Sequence, residues 1–202
     1  MQNERLKFIE NSDPSIIIIG GRLPIFMEED RFNNGEGGYE GKMEDILQDE
    51  GNTLLSISDR QTTIQENYNL TVQKIIDAGH TVVLYYPVPE VAIHVPKTLL
   101  KRIDGRYFEA RDIAIQNPVT TSFKVFQKRT EKSVQILDSI KSEKVFRIIP
   151  SKIFCDQSIG ERCITHNSEV SFYRDDDHLS EFGADLIVKE FEKLISSPDF
   201  KY

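Results

Sequence analysis

An α/β fold built on a parallel sheet is predicted by two observations: three short apolar runs, and helical periodicity in the segments that separate them. The runs are "SIIIIG" (15–20), "TVVLYY" (81–86) and "KVFRIIP" (144–150). Between them, apolar residues recur every three or four positions. Strand–helix alternation of this kind gives parallel strands with helices on both faces, because a parallel crossover needs a long return. The chemistry of such folds gathers in loops at the carboxyl ends of the strands. Here those loops begin at "GGR", "PVPE" and "PSKIFC".

In chain order, residues 2–11 can form a short helix. "SIIIIG" has no polar residue inside it, the pattern of a strand buried on both faces. The Gly-rich, acidic stretch from Phe26 to Asn52 is expected to be a surface excursion, and long loops of this kind are often functional. Ser58, with Gln61 three residues on, has the pattern of a capping box. Ile64, Tyr68, Val72, Ile75 and Ile76 then follow a helical stripe that Gly79 is placed to stop. "TVVLYY" is ended by Pro87 and Pro89. Residues 90–119 are expected to be irregular, apart from a short helix near "KTLLKRI". A helix from about Thr121 to Ser142 turns Phe123, Phe126, Val134, Leu137 and Ile140 inward. "KVFRIIP" is the third strand and "VSFY" (170–173) a short extended piece. Ser180 caps a last helix whose stripe runs through Ala184, Ile187, Val188, Phe191, Leu194 and Ile195.

The 202 residues suit one domain, 1–202, with 39% hydrophobic and 29% charged residues. A net charge of −8 with no dense Lys/Arg block argues against a nucleic-acid partner. No run approaches the ~18 apolar residues of a membrane span. The first residues, "MQNERLKFIENSDP", contain no apolar signal-peptide core, so export would depend on residues outside this sequence. Two cysteines, Cys155 and Cys163, enclose the short loop "FCDQSIGERC". They are expected either as one disulfide in an oxidising compartment, worth roughly 2–3 kcal/mol, or as reduced thiols in a cytosolic protein.

The densest chemistry lies in "YRDDDHLSEFGA" (173–184). Asp175 and His178 are three residues apart, so one turn brings both side chains to the same side while Asp176 and Asp177 point elsewhere. A carboxylate on one imidazole nitrogen fixes the tautomer and leaves the other nitrogen free to take a proton from a nucleophile. Two other readings stand beside this one. Acids are favoured near a helix N-terminus, which makes the run a solvated loop, and carboxylates with an imidazole can bind a divalent ion. His80, His94 and His166 are scattered and no second ligand cluster is visible, so no metal is expected.

"YRDDDHLSEFGA" resembles the last block of the SGNH hydrolases, in the form found in SGNH domains fused to membrane acyltransferase-3 proteins. "SIIIIGGRLPIF", "TVVLYYPVPE" and "IPSKIFCDQSIGERC" resemble, in order, the strand lining that site, the next strand with its Pro-rich turn, and a paired-cysteine segment. The resemblance spans nearly the whole chain and implies a flavodoxin-like three-layer α/β/α fold. It implies enzymes that O-acetylate surface polysaccharide, lipopolysaccharide or peptidoglycan, with His178 as base and Asp175 as its acid in a Ser-His-Asp triad. It further implies a carbohydrate acceptor, a membrane acyltransferase domain upstream supplying acyl groups, a periplasmic or extracytoplasmic location, and no cofactor. A stand-alone carbohydrate or lipid esterase and a non-catalytic remnant of the same fold are the alternatives.

Two departures qualify the resemblance. Many SGNH enzymes end the first of these strands in G-x-N-D, whose Asn donates to the oxyanion, whereas this chain reads Gly20-Gly21-Arg22-Leu23. Gly21 and Arg22 are therefore the candidate oxyanion or substrate-binding residues, as in the acyltransferase fusions that also lack the Asn. Arg22 could donate to an oxyanion or acyl donor, or serve as a structural arginine paired with acids. The family's nucleophile belongs to a Gly-Asp-Ser block, and no Gly-Asp-Ser occurs in this sequence. The expectation is the C-terminal portion of an SGNH domain, lacking the first strands and by itself inactive. "SIIIIG" would then form an apolar sheet edge, prone to association.

Overall fold

The computed structural model describes residues 2–28, 30–42, 56–155 and 160–200. Helix α1 (Gln2–Glu10) leads into β1 (Ile16–Gly20), a one-turn helix α2 (Pro24–Met27), α3 (Ile57–Asp77) and β2 (Thr81–Tyr85). Two helices follow, α4 (Val95–Ile103) and α5 (Ala110–Gln116), joined by a single 3-10 turn at Tyr107–Glu109. Then come β3 (Thr120–Ser122), α6 (Phe123–Ser139), β4 (Val145–Ile148), α7 (Ser151–Phe154), β5 (Arg162–Ile164) and α8 (Glu181–Ile195).

Strands β1, β2 and β4 form a parallel sheet in the order β1-β2-β4. Side chains alternate across it. Val82, Leu84 and Tyr86 meet Val72 and Ile75 of α3 and Leu137 of α6 in one apolar cluster. On the opposite face Phe146 stacks on Phe200, ring centroids 4.5 Å apart, and α8 lies against β4. Helices therefore cover both faces, as the alternation of the sequence requires. A small antiparallel pair, β3 with β5, had no signal of its own in three-residue strands.

Four local expectations change. Ile17 and Ile19 pack on the core, but Ile18 is 57% exposed, so β1 is not buried on both faces. Ile18 is in register with Val83 and, through it, Phe146. It thus faces the side where α8 lies against β4, at a sheet edge. The cap of α3 is Ser56 rather than Ser58: its Oγ accepts from the Asp59 amide at 3.1 Å. Gln61, assigned to a capping box, instead donates to the Met27 carbonyl at 2.9 Å and ties α3 to α2. Residues 90–119 are mostly helical rather than irregular.

The expected surface excursion is partly packed. Phe32 and Asn34 are buried, and Asn34 Nδ2 donates to the Val91 carbonyl at 2.9 Å while its Oδ1 accepts from the Glu36 and Gly38 amides. Glu29 and residues 43–52 of that excursion lie outside the described residues. Gly79 ends α3 with φ +97, and Ser180 caps α8 by accepting from the Gly183 amide. Cys155 and Cys163 are joined in a disulfide. The bridge belongs to a second apolar cluster with Val91, Val95, Phe154, Phe172 and Tyr173.

Candidate acid–base site

The second cluster fixes the acid–histidine loop from below. Tyr173 is buried and its hydroxyl donates to the Pro89 carbonyl at 2.7 Å. Above it, the amides of Val91 and Val95 donate to the carbonyls of Asp176 and Asp175, each at 3.0 Å. The Arg174 amide closes the turn onto the His178 carbonyl. Side chains 175–178 are thereby held beside the loop that leaves β2. That is the carboxyl-end position expected for chemistry in this fold.

Within the turn, Asp175 Oδ1 accepts from the amides of His178 (2.7 Å) and Asp177 (3.1 Å), while its Oδ2 lies 2.9 Å from His178 Nδ1. Burial alone would raise the Asp175 carboxyl. The two amides and His178 outweigh it and bring the group below the usual carboxylate range. With Nδ1 donating to a carboxylate, the lone pair of the neutral ring lies on Nε2. Nε2 has no hydrogen-bond partner among the described residues, and the His178 side chain is 60% exposed.

Asp177 is not the solvated neighbour expected from spacing. Its side chain is largely buried, its Oδ1 lies 2.9 Å from His178 Nδ1, and its Oδ2 lies 2.8 Å from Arg22 Nη1. Burial raises this carboxyl, against the pull of Arg22 and His178. Asp176 makes no side-chain hydrogen bond among the described residues. Both carboxylates lie 2.9 Å from Nδ1, but Asp175 is the one hydrogen-bonded to it, and Asp177 acts on the ring through its charge.

Arg22 follows the strand end at Gly20, where a Cβ would come 2.6 Å from the Cβ of Tyr85. Gly21 is exposed with φ +152, a conformation L side chains rarely adopt. The Arg22 guanidinium is engaged at every nitrogen: Nε with Glu90 (2.6 Å), Nη1 with Asp177, and Nη2 with Glu90 and Glu40. Burial would lower its pKa, but Glu90, Glu40 and Asp177 together raise it above the ordinary arginine value. This is the structural-arginine arrangement. An oxyanion would have to compete with three carboxylates for its donors. Arg129 of α6 adds a contact to Glu90 at 3.3 Å, so two guanidinium groups face three acids. Glu40 is raised by burial despite Arg22, and its Oε1 is buried without a partner.

Of the residues singled out in the sequence, the structure brings Asp175, His178 and Arg22 together, and it adds Asp177, Glu90, Glu40 and Arg129, which the sequence reading did not single out as site residues. Glu90 had a usable signal: it is the only charged side chain between Thr81 and Pro96, in a stretch otherwise bound for the core. Arg129 had none, being one of several basic residues on an amphipathic helix. The other histidines do not join the site. His80 accepts from the Ser15 amide and hydrogen-bonds the Ile9 carbonyl, while His166 accepts from the Val119 amide. Asp175, Asp177 and His178 also place one ligand atom each within 4.8 Å of one another, so a cation could be held there. Asp175 also holds His178 Nδ1, and Asp177 holds Arg22 Nη1.

The model of the family described as SGNH domain (fused to AT3 domains) matches residues 1–193. The chain belongs to the SGNH domains of this type. No curated protein and no solved structure matches it. The matched residues include His178, the one described imidazole paired to a carboxylate, with a side chain 60% exposed. The charged frame beside it is supplied by Arg22 after β1 and Glu90 after β2. Phe154, ahead of the disulfide, lies beneath the block, its ring 6.1 Å from that of Tyr173. No helix among the described residues is long and apolar enough to cross a membrane.

Proposed function

We propose that this SGNH domain carries the acid–base half of an O-acyltransferase that moves acetyl groups onto a cell-surface carbohydrate at the extracytoplasmic face. The observation that carries the reading is the Asp175–His178 pair, joined at 2.9 Å, with Nε2 unbonded among the described residues. The nucleophile is the serine of a Gly-Asp-Ser block outside this sequence. Its Oγ attacks the acyl carbonyl as Nε2 takes its proton, and the same proton passes to the donor's leaving group. The acceptor hydroxyl then gives its proton to Nε2 as its oxygen attacks the seryl ester, and Ser leaves with that proton. The family's association with AT3 domains supports an acyl-transferring partner domain. The disulfide supports an oxidising compartment.

The test is made in the protein that joins this chain to a Gly-Asp-Ser block. His178→Ala there abolishes acetyl-ester turnover, read as acetate release and acetylated carbohydrate by mass spectrometry. Unchanged turnover removes His178 from the reaction. Acetate without acetylated carbohydrate identifies an esterase instead.

A further inference from the structure

The α4–α5 region, residues 95–116, has a surface unlike the rest of the molecule. It holds Leu100, Tyr107, Phe108 and Ile115, four of the twelve large hydrophobic side chains that stand exposed among the described residues. Phe108 is fully exposed, and Asp104 (φ 48) and Gly105 (φ 77) reverse the chain just before it, placing the two aromatic residues at a turn between helices. On α4, Lys97 and Lys101 share a face with Leu100 at helical spacing. Neither lysine has an ion-pair partner among the described residues. The region carries five Lys/Arg against three Asp/Glu, a net +2, so the remainder of this −8 chain carries −10.

Concentrated apolar exposure marks an interaction surface rather than scattered noise. The chemistry narrows the partner. Exposed aliphatic and aromatic side chains in one segment, with two unpaired lysines flanking Leu100, match the interface between acyl chains and anionic headgroups. An anionic surface would attract this lobe and repel the remainder, which also sets the orientation of approach. A sugar site would instead need convergent hydrogen-bonding groups around planar rings, and here Leu100 and Ile115 are branched aliphatics.

We propose that residues 95–116 form a membrane-surface anchor that lays Phe108, Leu100 and Ile115 among the headgroups of an anionic bilayer. The test uses the full chain and flotation with phosphatidylglycerol/phosphatidylcholine vesicles. The chain floats with them, binding falls as salt is raised, and phosphatidylcholine alone binds far less. Lys97→Gln and Lys101→Gln each weaken binding about fivefold, and Phe108→Ser with Leu100→Ser removes it. All four sites are exposed, so far-ultraviolet circular dichroism stays unchanged in the variants. No flotation with phosphatidylglycerol, or equal flotation of the Phe108→Ser Leu100→Ser variant, overturns the anchor. So does a patch shown to serve another occupant without vesicle binding: dimerisation, capture of an AT3 domain or saturable polysaccharide binding, each lost in Phe108→Ser.

Discussion

The three aspartates before His178 differ in what their oxygens touch. Asp175 takes two backbone amides and the imidazole, Asp177 takes the imidazole and Arg22, and Asp176 takes no side-chain partner among the described residues. In the joined protein, Asp175→Asn is expected to cost about 10³–10⁴ in turnover, because the ring then loses the partner that fixes its tautomer. Asp177→Asn is expected to cost about 10–100-fold through misplacement of the ring, and Asp176→Asn almost nothing. Steady-state kinetics on an acetyl ester orders the three. Equal losses for Asp175 and Asp177 together with inhibition by a chelator would instead identify a bound cation. Spacing alone found the Asp175–His178 pair, since three residues make one turn. It assigned Asp177 wrongly because the side chain's second partner, Arg22, is supplied by a loop 155 residues away in sequence, on another strand.

Among elements, the start of α8 is held most tightly against the site. A Cβ on Gly183 would lie 2.2 Å from the Phe172 carbonyl oxygen, so the first turn of α8 can approach the strand-like "VSFY" piece only with glycine there. Gly183→Ala should therefore destabilise by about 1–3 kcal/mol through overpacking, lowering Tm by several degrees in a thermal melt. An unchanged Tm would mean that α8 shifts freely, and with it the block that ends in Ser180. The disulfide closes a short loop behind Phe154. Its reduction should cost roughly 2–3 kcal/mol in urea denaturation. Helix ends were legible where the capping chemistry is local, as at Gly79 and Ser180. At α3 two serines two residues apart both satisfy a local pattern. Gln61 was drawn away by the Met27 carbonyl, a tertiary contact.

At the scale of the molecule, the sheet of the described residues ends at β1, with Ile18 exposed on the face where α8 lies against β4. A parallel edge of isoleucines presents unpaired backbone groups next to an apolar side chain, a template for strand addition. The chain on its own should self-associate at micromolar concentration in sedimentation velocity, and Ile18→Glu should reduce this. A monodisperse wild-type monomer would show that the edge is protected. This association and the proposed lipid anchor use different surfaces, so each variant set leaves the other property intact.

The three strands of the parallel sheet, the long helices α3, α6 and α8, and the closeness of Asp175 to His178 were legible in the sequence alone, because each leaves a periodicity or spacing over a few residues. The family's blocks carry the same local information. Only the tertiary structure decided that Arg22 is held by Glu40, Glu90 and Asp177, that Asp177 reaches His178, and that Ile18 lies exposed at an edge. Those facts require segments far apart in the chain to meet. A buried charge is stable only where opposite charges converge on it. No local pattern records which distant residue will supply them.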